Sequence, residues 1–249
     1  MCTLVLLRRP GHRWPLILGA NRDEMSDRPA LAPARHWPDR PDIIAGLDQH
    51  AGGSWLGLND HGVIAAILNR TGSLGPQAGK RSRGELVLEA LDHPDAALAA
   101  AALAALDPRA YRPFNLVVAD NRDAFWLAQR GQDRLAVQPI PEGLSMLTAR
   151  ELDDPASPRI RRYRDRFRAA PAPEPERDEW RAWQALLEDT DPDPALGPES
   201  AMRFMLPIGF GTVSSTVLAL AAPGAVPRAV WRFAAGAGLP SPWQPVGLA

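Results

Sequence analysis

The sequence predicts an α+β fold in which two antiparallel sheets stack with helices outside, a four-layer αββα sandwich. Three observations carry this expectation. The elements along the chain run strands, two helices, strands, two helices, strands. Several strand candidates are joined by short turn signals, as hairpins are. At 249 residues the chain is long enough to bury a substantial core, and no repeat or clean boundary divides it. One domain over residues 1–249 is therefore expected.

Each element has its own signal. Cys2 to Leu7 reads as a buried strand, Pro10-Gly11-His12-Arg13 as a turn, and Leu16 to Ala20 as the returning strand. Asn21-Arg22-Asp23-Glu24 then lies at the far end of that second strand. In an antiparallel hairpin this end lies beside the start of the first strand, so local geometry alone brings the polar tetrapeptide to Cys2. Asp27 to Arg40, rich in Pro and Arg, reads as an irregular loop, and Ile43 to Gly46 as a short strand. The segment from Gly52 to Leu58 enters another strand, Asn59-Asp60-His61-Gly62 turns, and Val63 to Asn69 leaves it. Ser82 is placed to cap a helix running to Leu91, with Glu85 as its capping-box partner. Asp95 starts an alanine-rich helix to Leu106.

Short strands follow at Phe114–Ala119, Ala124–Gln129, Leu135–Gln138 and Gly143–Thr148. Pro158 to Arg168 is a strongly basic helix whose arginines read as a solvated face. Asp178 to Glu188 is a helix carrying Trp180, Trp183, Leu186 and Leu187 on one side. Gly211 to Leu220 reads as a central strand with Arg228 to Phe233 as its hairpin partner. The tail with Pro240, Pro242 and Pro245 reads as irregular.

Composition narrows the function classes. With 28 basic and 29 acidic residues the formal net charge is −1, so no global field favours nucleic acid or an anionic membrane. No stretch approaches the ~20 apolar residues of a membrane span, and Arg8, Arg9 and Pro10 interrupt the first apolar run too early for a secretory signal. The single cysteine excludes an internal disulfide framework and fits a reducing compartment. The five histidines have no metal-ligand spacing, so no metal and no cofactor are expected. The sequence therefore reads as a soluble cytoplasmic protein, with an Ala-, Arg- and Pro-rich composition of bacterial character.

The candidate chemistry begins at that one cysteine. Removal of Met1 would leave Cys2 with both a free thiol and a free α-amine. The amine titrates near pH ~8 and the thiol near ~8.5, so the amine can take the thiol's proton close to neutrality. The alternative is a cysteine that merely packs as a small apolar residue.

Met1-Cys2-Thr3 followed by Asn21-Arg22-Asp23-Glu24 resembles the NRDE family, which includes the transport and Golgi organisation protein of animals. Arg28-Pro29, Gly46-Leu47-Asp48, Gly53-Ser54-Trp55-Leu56-Gly57, Asn69, Ser82-Arg83-Gly84, Pro113-Phe114-Asn115-Leu116 and Gly211-Thr212 with Ser214-Ser215-Thr216 extend the likeness. The family in turn is similar to cysteine N-terminal-nucleophile (Ntn) hydrolases such as bile-salt hydrolases and penicillin V acylases. The resemblance implies the αββα fold and cleavage of a non-peptide amide C–N bond through an acyl-enzyme. It further implies Cys2 as nucleophile, Arg22 holding a thiolate of lowered pKa, Asp23 binding the α-amine, and Asn69 as oxyanion donor. Asn21, Trp55 and Asn115 are the substrate-binding candidates, and Glu24 is expected to pair with Arg28 or another surface arginine. Two positions depart from the pattern. Ala149 stands where many relatives have asparagine, and Val213 where relatives of the animal protein have arginine. The expected partner is a small-molecule amide, with a homo-oligomer left open. The alternative is a non-catalytic carrier or chaperone for haem or another hydrophobic ligand, using the same pocket.

Overall fold

The computed structural model describes residues 2–238 and 241–248. The first half of the chain forms β1 (Thr3–Arg8), β2 (Leu16–Met25), β3 (Ala30–Ala34), β4 (Ile43–Asp48), β5 (Leu56–Asn59), β6 (Ile64–Asn69), α1 (Glu85–Leu91) and α2 (Ala96–Ala104). Next come β7 (Phe114–Ala119), β8 (Ala124–Gln129), β9 (Ala136–Pro139), β10 (Gly143–Leu147), α3 (Pro158–Ala169) and α4 (Arg181–Leu187). The chain closes with β11 (Phe210–Leu220), β12 (Ala229–Ala235) and β13 (Gln244–Pro245). These elements form two compact units. The first comprises residues 1–28 and 142–246, the second 29–141 and 247–249.

The first unit is a six-stranded sheet in the order β10-β1-β2-β11-β12-β13, antiparallel throughout. β1 and β2 form the expected hairpin, with Thr3 opposite Asn21 and Arg8 opposite Leu16. Alternation sends Val5, Ile17, Met146, Val217 and Ala219 to one side of the sheet. There they pack on Ile160, Tyr163 and Phe167 of α3 and on Trp183 and Leu187 of α4. Gly19 permits the close approach, because a Cβ there would meet the Trp183 ring at 3.2 Å.

The second unit is a seven-stranded antiparallel sheet in the order β3-β4-β5-β6-β7-β8-β9. Ile43, Ala45, Ala65, Leu116, Val118 and Leu127 pack with Leu86, Val87 and Leu91 of α1 and with Ala96, Ala99, Ala100 and Leu103 of α2. Gly57 is required here: a Cβ would stand 2.6 Å from Leu91 and from Ala45. Asp95 caps α2 as expected, its carboxylate accepting from the Leu98 amide at 2.8 Å.

Four local expectations are corrected. The Asp27–Arg40 stretch contains β3, an exposed edge strand whose Ala- and Pro-rich sequence lacks the alternation that would have announced it. The Ser82/Glu85 capping box does not form. Gly84 occupies the cap position without a side-chain bond, the Ser82 hydroxyl accepts from the Gly84 amide, and Glu85 pairs with Arg81 at 2.6 Å. Gly84 is held there by the neighbouring backbone, its carbonyl accepting from Ser54 N–H at 3.0 Å while a Cβ on Gly53 would come within 2.5 Å of it. The tail contributes the short edge strand β13, while Pro240 lies outside the described residues. Finally, β2 runs to Met25, so Asn21 to Glu24 belong to the strand itself. No helix among the described residues is long and apolar enough to cross a membrane.

Candidate active site

Within β2 the period-2 alternation decides what each residue of the tetrapeptide does. Asn21 and Asp23 point to the helix-bearing side of the sheet, where Thr3 also points. Asn21 donates to the carbonyls of Leu187 and Met202, both at 2.8 Å, and accepts from the Ser215 hydroxyl at 2.7 Å. Its amide is thus fully engaged inside the protein. Glu24 reaches Arg28 at 3.8 Å, one of the arginines the sequence offered it.

Asp23 is the centre of a buried network. Its Oδ2 accepts from Arg159 Nη1 at 2.8 Å, and its Oδ1 accepts from the Thr212 hydroxyl at 2.8 Å. The same Arg159 nitrogen donates to the Thr3 hydroxyl at 2.8 Å, and its Nε donates to the carbonyls of Ala201 and Glu199. Phe204 closes the guanidinium face, 5.1 Å from ring centroid to Cζ. Arg159 and Asp23 side chains are 4% and 0% exposed, so this ion pair is desolvated rather than a surface contact. Burial by itself would raise the Asp23 pKa. The Arg159 charge and the Thr212 hydrogen bond outweigh it, and the carboxyl is held below the usual carboxylate range.

Cys2 sits against the main chain of Asp23. Its thiol donates toward the Asp23 carbonyl at 3.6 Å, and the Asp23 N–H points to the sulfur at 3.4 Å. This is the proximity the hairpin argument anticipated. In the chain that carries Met1, burial first and the Asp23 carboxylate second push the Cys2 thiol up; the lowered thiol was expected of the chain without Met1. The Asp23 N–H and the Arg22 charge act in the opposite sense and are outweighed. Arg22 lies on the side of β2 away from the helices, opposite Ser214 of β11, where Val213 forms a bulge between Thr212 and Ser214. Met1 lies outside the described residues, so its expected removal concerns a position not described.

Asn69, Trp55 and Asn115 all belong to the second unit. Asn69 ends β6 as anticipated, paired with Phe114, and its part as oxyanion donor rests on the resemblance. Asn115 accepts through its side-chain carbonyl from Arg70 at 2.7 Å and from the Trp126 indole at 3.1 Å. The Trp55 ring lies against Gly46, where a Cβ would be 2.3 Å from it. Ala149 lies two residues beyond the end of β10, whose Leu147 pairs with Leu4.

Two residues of the Asp23 network escaped the sequence reading. Arg159 is buried, which overturns the solvated-face expectation for that position of α3. Its signal was spacing, for it stands four residues before Tyr163 and eight before Phe167, both buried. Thr212 was noted only within the Gly-Thr motif. No cluster of three or more His, Cys, Asp or Glu able to hold a metal ion occurs among the described residues.

Known proteins match this chain in sequence and in fold. A human transport and Golgi organization protein 2 homolog is 35% identical over 143 residues, covering 53% of this chain and 50% of that protein. The chain spans half or less of the length of the curated relatives it matches. Among solved structures, penicillin V acylase from Agrobacterium tumefaciens aligns with a TM-score of 0.56 at 13% identity, covering 94% of this chain and 83% of that one. The Caenorhabditis elegans ortholog of N-acylethanolamine-hydrolyzing acid amidase aligns with a TM-score of 0.51 at 13% identity, covering 91% and 95%. At such identities the likeness shows the fold alone, an α+β class of two antiparallel sheets. The model of the family called Transport and Golgi organisation 2 matches residues 1–227, and the chain belongs to that family.

Proposed function

We propose that this chain is an N-terminal cysteine amidohydrolase that cleaves a non-peptide amide carrying a small, apolar acyl group. The supporting observation is the seat of Cys2. Its sulfur lies within hydrogen-bonding range of the main chain of Asp23, a carboxylate fixed from behind by Arg159 and Thr212. In the chain that carries Met1 the Cys2 nitrogen is a peptide nitrogen and the raised thiol stays protonated. Loss of Met1 turns that nitrogen into an α-amine beside the sulfur, supplying the base that the half-buried thiol lacks.

The proposed sequence follows from those groups. The α-amine takes the thiol proton as sulfur attacks the amide carbon. The C–N bond then breaks, the proton passes to the departing amine, and a thioester remains on Cys2. Water attacks the thioester, releasing the carboxylic acid and restoring the thiol. Asp23 holds the ammonium form of the base, and Arg22 lends positive charge on the Cys2 side of the sheet.

The test is turnover of p-nitroanilides of acetic to octanoic acid by the chain beginning at Cys2, with intact mass recorded during turnover. The expected result is p-nitroaniline release with an acyl mass increment on Cys2, both lost in Cys2→Ala. Release that survives Cys2→Ala overturns the proposal.

A further inference from the structure

Between Ala201 and Phe204 the chain runs along the Asp23 network and supplies it with main-chain partners. The Ala201 carbonyl accepts from Arg159 Nε at 2.7 Å, and the Met202 carbonyl accepts from Asn21 at 2.8 Å. Thr212, whose hydroxyl bonds Asp23, has its main chain gripped from two sides. Its N–H donates to the Phe204 carbonyl at 2.8 Å, and its carbonyl accepts from Gly238 N–H at 3.0 Å. Arg203 stands in the middle of this segment. Its Nη1 donates to the Gly236 carbonyl at 3.0 Å, and Gly236 N–H in turn donates to the Val213 carbonyl at 3.0 Å. One side chain thus ties together the two stretches that hold Thr212.

That single bond leaves most of the guanidinium unused. Arg203 is 0% exposed, and its Nε and Nη2 have no hydrogen-bond partner among the described residues. A buried cation with vacant donors destabilises a fold, and hydrocarbon of the same length would pack there without that penalty. Stability therefore does not account for an arginine at this position. Its charge does have counterparts. The carboxylates within its field are Glu188, at the end of α4 and bonded to the Trp243 indole, and Asp23 of β2. Burial pulls the guanidinium down from its ordinary value, and these two carboxylates oppose the change. A guanidinium stays protonated under such conditions. Asp23 therefore lies in the field of two buried cations, Arg159 in contact with it and Arg203 without a direct bond.

We propose that Arg203 is a positioning residue of the Cys2 site that acts through Asp23: its buried charge limits the hold of Asp23 on the Cys2 α-ammonium, so that this amine releases its proton near neutrality and serves as base. The proposal rests on the N-terminal-nucleophile reading, but its test needs no turnover. The other charges around Cys2 are Arg22 and the Asp23–Arg159 pair, and all three are left in place.

Chains beginning at Cys2 are alkylated with iodoacetamide over a pH series, and intact mass reports the rate. Arg203→Met and Arg203→Gln remove the charge, the second keeping a donor for Gly236, while Arg203→Lys keeps the charge. Both neutral variants are expected to move the alkylation midpoint up by ~0.5–1 pH unit, the effect of one charge ~10–15 Å away at an effective dielectric near ~20. Alkylation at neutral pH is then about 3- to 10-fold slower. Arg203→Lys is expected to follow the wild-type profile, and urea unfolding to show Arg203→Met no less stable than wild type. An arginine kept for structure gives the opposite pattern, lost stability with an unmoved midpoint, and that result overturns the proposal. Failure of both neutral variants to fold overturns it too, as does a Lys profile displaced as far as the Gln profile. A midpoint that moves as expected, in a chain that hydrolyses no anilide, upholds the role of Arg203 and rejects the amidohydrolase reading alone.

Discussion

Both sheets pack hydrocarbon on their helices, but only one adds a buried polar network on that side. In the seven-stranded sheet that side is hydrocarbon, with Ile43, Ala45, Ala65, Leu116, Val118 and Leu127 packed against α1 and α2. Its buried polar anchor, Asn59, sits at a strand end, holding the carbonyls of Leu91 and His93 and the amides of His61 and Val63. In the six-stranded sheet the helix-facing side carries Thr3, Asn21, Asp23, Thr212 and Ser215, tied to Arg159 and to main-chain carbonyls around Met202. The seven-stranded sheet thus keeps its polar bonds to a strand end, whereas the six-stranded sheet buries an ion pair within its strands. A buried ion pair rarely exceeds well-packed hydrocarbon in stability. What the network does provide is a fixed main chain behind Cys2.

The sharpest break of that contrast is Arg159→Met. It leaves the buried Asp23 carboxylate without its cation and is expected to cost about 3–5 kcal/mol, read by urea denaturation. The double variant Asp23→Asn/Arg159→Met should cost clearly less than the sum of the two single changes, because each single change strands a partner. Additive losses would mean the pair is not coupled.

Asn21→Leu is the next largest. It strands the carbonyls of Leu187 and Met202 and the Ser215 hydroxyl, for about 1–3 kcal/mol, and a cost within the error of the unfolding curve would contradict the assigned bonds. The pH dependence sharpens the same point. The Asp23 pKa lies below its unfolded value near ~3.9, so its contribution is present above that pH and is lost as pH falls through the folded value. Wild type should therefore lose stability steeply in acid, and Asp23→Asn, having lost the contribution already, should show a shallower acid limb. Smallest is a change in the other unit. Asp95→Ala removes the α2 cap for about 1 kcal/mol and should leave Cys2 alkylation unaltered.

Much of the first unit was legible from local pattern. The β1–β2 hairpin follows from two apolar runs around Pro10-Gly11, and it alone brings Asp23 to Cys2. Arg159 was harder to see. It is one of six arginines between residues 159 and 168, and only the tertiary fold selects which of them meets a buried carboxylate. The raised thiol of the chain that carries Met1 was hidden for a related reason. Arg22 is visible in the sequence as a neighbouring cation, but the burial that outweighs it is a property of the folded core. β3 and the Ser82 cap failed where an edge strand lacks alternation and where backbone contact at Gly53 and Gly84 overrides a side-chain cap.

The most direct test of the account compares two forms of the protein, one beginning at Cys2 and one carrying an uncleavable N-terminal extension. Iodoacetamide alkylation of Cys2 is followed over a pH series, together with anilide turnover. The account predicts that the chain beginning at Cys2 turns over substrate and alkylates rapidly below pH ~8, while the extended form does neither, its thiol remaining protonated to higher pH. Equal turnover by the extended form, or superimposable alkylation profiles, would contradict an N-terminal nucleophile.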